Sequence, residues 1–168
     1  MIRKILLLVL TVTFSFTAFS QKKAATKSTK WDVNNPHKDW KYNSFNLNTN
    51  EGTWMNLDVS PDGTTIVFDL LGDIYSMPIA GGKATALRSG LAYEVQPRFS
   101  PNGKYISFTS DAEGGNNIWV MTADGKNAKS ITKEKYRLLN NAVWTPDGKS
   151  LVARKHYTST RSVGAGEM

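Results

Sequence analysis

Beyond about residue 42, apolar and polar positions alternate in short runs, and tight-turn residues interrupt the alternation at regular intervals. Trp54, Asn56 and Asp58 alternate with Met55, Leu57 and Val59; after Ser60-Pro61-Asp62-Gly63, Ile66 and Phe68 alternate with Val67 and Asp69. A period of two predicts β-strands, and two such runs flanking a Pro-Gly turn predict an antiparallel pair. The unit recurs. Val95–Phe99 and Tyr105–Phe108 flank Ser100-Pro101-Asn102-Gly103, and Ala142–Trp144 and Leu151–Ala153 flank Thr145-Pro146-Asp147-Gly148.

The tetrapeptide suits a turn at each of its positions. Proline fixes φ, Asp or Asn tolerates the next position, glycine accepts the left-handed region, and the leading hydroxyl can bond back to the turn. A third strand follows at Asp73–Met77 and at Asn117–Met121, then a second glycine turn at Gly81-Gly82 or Asp124-Gly125, then a short strand at Ala84–Leu87 or Ala128–Thr132. Ser60, Ser100 and Thr145 are spaced by about 40 and about 45 residues, the size of a four-stranded propeller blade. The predicted fold is therefore all-β, an incomplete β-propeller of about two and a half blades over 42–168. Its blades lie at about 53–90, 93–133 and 139–168, the last incomplete. Extra length in the second unit falls in the hairpin Asp111–Asn116.

Two features concern the ends. Tyr42–Asn48, with Phe45 and Leu47 on one face, reads as a strand without a turn motif of its own. Gly166-Glu167-Met168 aligns with Gly72-Asp73-Ile74 and Asn116-Asn117-Ile118, which places the end of the chain two residues into a third strand. An open strand edge and an uncovered apolar face disfavour such an ending, so a truncated piece of a longer protein, unstable alone, is expected.

The first residues form a separate region. Met1, Ile2, Arg3 and Lys4 make a basic start, an apolar run follows from Ile5 to Phe19, and Ala18 and Ser20 supply small residues at a cleavage point after Ser20. This predicts a signal peptide over 1–20, and a periplasmic or secreted protein with no membrane span after cleavage. A chain without cysteine has no disulfide framework and no lipidated cysteine. Two of the 21 basic residues leave with the leader, and much of the remaining excess over 14 acidic residues sits in Lys22, Lys23, Lys27 and Lys30. The segment 21–41 therefore reads as a basic linker and entry segment. No aromatics interleave with those lysines, so no nucleic-acid footprint is assigned.

Pro97 through Asp111, followed by Asn117-Ile118-Trp119-Val120-Met121 and Asp124-Gly125, resembles the TolB-like, WD-type propeller repeat. More narrowly, Gly52 through Gly63 with Phe68 through Tyr75, and Ala153-Arg154-Lys155-His156 with Ser162 through Glu167, resemble the N-terminal propeller of exported amidohydrolase-family proteins. The resemblance covers Trp31 to Met168. It implies a non-catalytic portion that acts in binding or substrate gating, with a catalytic domain beyond it or an envelope protein as partner. A divalent metal is implied only for that later domain. The alternatives are a TolB-like envelope protein-binding module and the propeller of a prolyl-oligopeptidase-like or tricorn-like peptidase.

No catalytic, cofactor-binding or metal-ligating residue is assigned in this chain. His37 and His156 lie far apart with no His-x-His, and the sequence holds no G-x-S-x-G, no phosphate loop and no dinucleotide glycines. His156 beside Arg154 and Lys155 is read as structural, with a channel-facing anion contact as its functional alternative. Asp111, Glu113 and Asn116 miss the calcium-loop spacing and read as a solvated hairpin. Trp54, Trp119 and Trp144 read as inter-blade core rather than a stacking set, because Trp119 matches Tyr75 and Trp144 matches Phe99. Asp58, Arg98 and Arg154 are candidates for a polar channel or end face. Trp31, Trp40 and Tyr42 are expected to pack on the side of the propeller.

Overall fold

The computed structural model describes residues 43, 46–159 and 162–167, with side chains through Tyr157. The leader, the linker, His37, Trp31, Trp40 and Tyr42 lie outside the described residues. The elements are β1 (Leu57–Val59), β2 (Thr65–Leu70), β3 (Asp73–Pro78), β4 (Thr85–Arg88), β5 (Glu94–Phe99), β6 (Tyr105–Ser110), β7 (Asn117–Thr122), β8 (Lys129–Ser130), β9 (Leu139–Trp144), β10 (Leu151–Ser159) and β11 (Ser162–Glu167). They form two four-stranded sheets, β1-β2-β3-β4 and β5-β6-β7-β8, and a three-stranded sheet, β11-β10-β9. Every pairing is antiparallel between sequence neighbours, as in the blades of a propeller.

The Ser/Thr-Pro-Asp/Asn-Gly turns form three times with one set of bonds. The Gly63 N–H donates to the Ser60 carbonyl (2.8 Å), the Ser60 hydroxyl to Asp62 Oδ1 (2.5 Å), and the Thr65 N–H to Ser60 Oγ (3.0 Å). Ser100 with Asn102, and Thr145 with Asp147, repeat the pattern. Gly63, Gly103 and Gly148 hold φ of 71°, 69° and 67°, a region in which a side chain is strained. The turns also stack, because a Cβ added at Gly103 would stand 3.5 Å from Pro61, and one at Gly148 the same distance from Pro101.

The core lies between blades. Val67 and Ile74 of the first sheet pack with Ile106, Phe108, Trp119 and Met121 of the second. Phe108 and Trp119 meet at a ring separation of 6.3 Å, tilted by 32°. At the same seam the buried Glu94 accepts from Arg88 Nε (3.2 Å to each oxygen) and from its terminal nitrogen (2.8 Å), which ties β4 to β5.

Three expectations are corrected. Trp54 is almost wholly exposed with φ 60°, so it is not inter-blade core, and the first strand begins only at Leu57. No neighbouring sheet pairs or covers the chain before Asn56, among the described residues, to draw the indole inward. The entry strand does not form over Asn46–Asn48, which has no ladder partner; the rest of that stretch, except Asn43, lies outside the described residues. The last strand starts at Ser162, earlier than expected, because β10 runs on to Ser159 and β11 folds back along it. Lys155 pairs with Glu167 as Leu70 pairs with Asp73, so the repeat alignment holds and the additional residues form a hairpin arm.

Candidate functional site: the inner-strand polar ladder

Each repeat places an amide side chain four residues before its turn hydroxyl, at Asn56, Gln96 and Asn141. Gln96 and Asn141 hold φ of 59° and 52°, where the strand pairing shifts register between Val95 and Arg98 and between Val152 and Arg154. Such bulges re-aim side chains, and at Gln96 the amide reaches the neighbouring blade. A continuous ladder results.

Its first member is Asp69, buried on β2. Its carboxylate accepts the Asn56 N–H (2.9 Å) and side-chain amide (2.9 Å), and across the seam the Gln96 N–H (2.7 Å). The Gln96 side-chain oxygen then accepts the Thr109 hydroxyl (3.1 Å) and, across the next seam, the Asn141 N–H (2.8 Å). A second line runs beside it. Asp58 Oδ2 accepts the Phe99 N–H (2.8 Å), Arg98 donates back to the Leu57 carbonyl (2.8 Å), and the Arg98 carbonyl accepts the Trp144 indole N–H (3.2 Å).

Asp58 and Arg98, read from sequence as channel candidates, are thus clasps between blades. Trp119 is core, and Trp144 packs at a seam while bonding across it. Arg154 stands exposed at the ladder's open end, at the position of Asp69 and Thr109. His156 Nε2 lies 3.1 Å from Asn140 Oδ1. Lys155 pairs with Glu134 (2.5 Å) and stands 5.6 Å above the Tyr157 ring, over which Arg137 sits at 4.0 Å. The hydrogen bond from Lys155 and those from the Tyr136 and Lys135 N–H groups hold the Glu134 carboxyl down at about 2, and the bond to Glu134 in turn pushes the Lys155 ammonium up. Lys133, Lys135 and Arg137 are exposed beside them, so the connection between the second and third blades is basic.

Asp111 fastens its hairpin: it accepts the Tyr93 N–H (2.8 Å), and its carbonyl accepts the Gly114 N–H (2.7 Å). Among the described residues no three of His, Cys, Asp and Glu converge as metal ligands, and the acids above are committed to N–H donors, so no metal step is derived. Sequence reasoning missed Asp69, Gln96 and Asn141. A polar residue at one phase of every repeat was the available signal.

Residues 57–165 match the family model described as the tricorn protease N-terminal β-propeller domain. The chain belongs to this propeller family. The propeller is 37% identical over 81 residues to an uncharacterised protein of Agrobacterium fabrum, covering 46% of this chain and 28% of that one. It is 29% identical over 91 residues to tricorn protease homolog 1 of Streptomyces coelicolor, covering 54% of this chain and 8% of that one. Among solved structures it is similar to a putative TolB of Agrobacterium tumefaciens, with a TM-score of 0.57 and 28% identity over 62% of this chain and 39% of that one. The expected TolB-like propeller is therefore correct. This chain spans less than a third of the length of either relative above. Among the described residues no helix is long and apolar enough to cross a membrane.

Proposed function

We propose that this chain is the non-catalytic propeller portion of an exported hydrolase, which binds or gates the substrate of a catalytic domain beyond it. The observation that carries this is the ladder. Side chains of the inner strands that would serve as acids, bases or ligands are spent on holding one blade to the next, as in a scaffold. The basic connection between the second and third blades, with Lys133, Lys135 and Arg137 exposed, suits carboxylate groups such as a peptide terminus. Export to the periplasm or beyond is supported by the leader pattern of residues 1–20. The matching family and the relative named as a tricorn protease homolog favour peptide hydrolysis. An amidohydrolase is the second reading, favoured by the motifs at Gly52–Tyr75 and Ala153–Glu167. The coding sequence beyond the Met168 codon tests all of this. An open frame with further Ser-Pro-Asp-Gly units is expected, followed by G-x-S-x-G for a peptidase or His-x-His for an amidohydrolase. A stop codon directly after Met168 would overturn the reading in favour of a short, open-edged binding protein, and a stop after the last blade would favour a TolB-like binding module.

A further inference from the structure

The connections leave one end of the sheets apolar. β2, β4, β6 and β8 run toward that end and β3, β5, β7 and β9 run from it, so the turn Leu71-Gly72 and the connections 89–93 and 131–138 all lie there. Leu91 and Tyr136 are equivalent, five residues before Gln96 and Asn141, and Tyr93 and Leu138 are equivalent, three residues before them. All four are exposed, although each connection lies at a seam with a blade on both sides. A further blade at either end of the row would stack on a sheet face and leave these positions uncovered.

Leu71 is the least expected member of the set. It and Gly72 are the two residues of the turn that joins Leu70 to Asp73, and they hold φ of 54° and 89°. Asn-Gly meets that demand with least strain, whereas a leucine there is strained. Its side chain is also 76% exposed, so little contact within the described residues offsets the strain. An outlier of this kind points to a function. Tyr93 lies beside it, because a Cβ added at Gly72 would stand 3.1 Å from the Tyr93 ring. Around the second connection Lys133, Lys135 and Arg137 are exposed next to Tyr136, which is itself 94% exposed.

Two properties of the set select the partner. Side chains as exposed as Leu71 and Tyr136 stand out from the surface, whereas a groove that holds a peptide would cover them. Equivalent positions in successive blades also lie at one height above the sheets, so the tips define a plane. Leucine and tyrosine tips among lysine and arginine suit the boundary between lipid headgroups and acyl chains, where apolar groups insert and cations meet anionic headgroups. We propose that this end of the propeller docks on an anionic membrane surface, with Leu71, Leu91, Tyr93, Tyr136 and Leu138 entering it and Lys133, Lys135 and Arg137 meeting lipid phosphates. This stands on the connections alone, whether or not a hydrolase domain follows.

Co-sedimentation of the purified chain, leader removed, with vesicles of phosphatidylcholine and phosphatidylglycerol in equal parts tests it. Most of the chain is expected to pellet with them, and several-fold less with phosphatidylcholine alone. Leu71→Asn separates docking from structure: the bound fraction should drop several-fold while the urea midpoint rises, because the strain in the turn is relieved. Tyr136→Ser, at a side chain almost free of contacts, should lower binding at an unchanged midpoint, and Tyr105→Ser, on β6 at the opposite end, should leave binding as it was. Equal binding by the unaltered chain and by Leu71→Asn and Tyr136→Ser would assign the association to the basic linker and overturn the proposal. A lowered midpoint in Leu71→Asn would overturn it too, as would the absence of vesicle binding, which would leave this end to a protein partner.

Discussion

Asp69 shows how much one residue can carry when its phase in the repeat is right. Buried among Asn56, Gln96 and the seam, its carboxylate serves two blades. Asp69→Ala leaves the half-buried Asn56 and Gln96 N–H groups without this acceptor, each at a cost of up to about 1–3 kcal/mol. The expected result is a lower urea midpoint at unchanged m-value. The exposed carboxylates act differently. Asp62 and Asp147 are held below the usual range first by the hydroxyls of Ser60 and Thr145 and then by turn N–H groups; Asp124, at about 2, is held by the Thr122 hydroxyl and then by Lys126. Glu134 lies at about 2 for the reason given above. A carboxyl whose folded value is depressed contributes stability above its unfolded value, and that contribution is lost as pH falls through the folded one. Tm should therefore fall as pH drops from about 4.5 toward about 2, and Glu134→Gln should flatten that fall. An equal slope in the variant would count against the Lys155 pairing.

At the scale of elements, turn chemistry was legible and strand ends were not. Ser60-Pro61-Asp62-Gly63 and its two copies declare both the turn and the strands beside it, because each residue type answers a local backbone demand. Trp54 and the entry strand misled for the opposite reason. An alternating run is a strand only where another strand or blade receives it, and nothing local says whether one is present. The ladder stayed hidden because Asn, Gln and Asp at strand positions look like solvent-facing residues, and the bulge at Gln96 that carries its side chain across to the next blade has no local sequence signal. Gly103→Ala tests the turn directly. At φ 69° a β-carbon costs about 1 kcal/mol or slightly more, while 3.5 Å from Pro61 is ordinary contact. A loss of that size should appear in chemical denaturation, with the far-ultraviolet spectrum unchanged.

For the molecule as a whole, stability resides in the seams. Phe108 is fully buried between the first two sheets, and Phe108→Ala should cost about 3–5 kcal/mol, enough to unfold both sheets in one transition. Two separated transitions in calorimetry would show instead that the sheets melt independently. The seams also have a direction. At each step of the ladder the earlier blade carries the accepting side chain and the later one the N–H that fills it, as Asp69 does for Gln96 and Gln96 for Asn141. A duplicated stretch of gene encoding one blade would therefore arrive with both halves of its fastening already in place. Ring size in such proteins can drift by unequal recombination, without any neighbouring blade having to evolve a new partner surface.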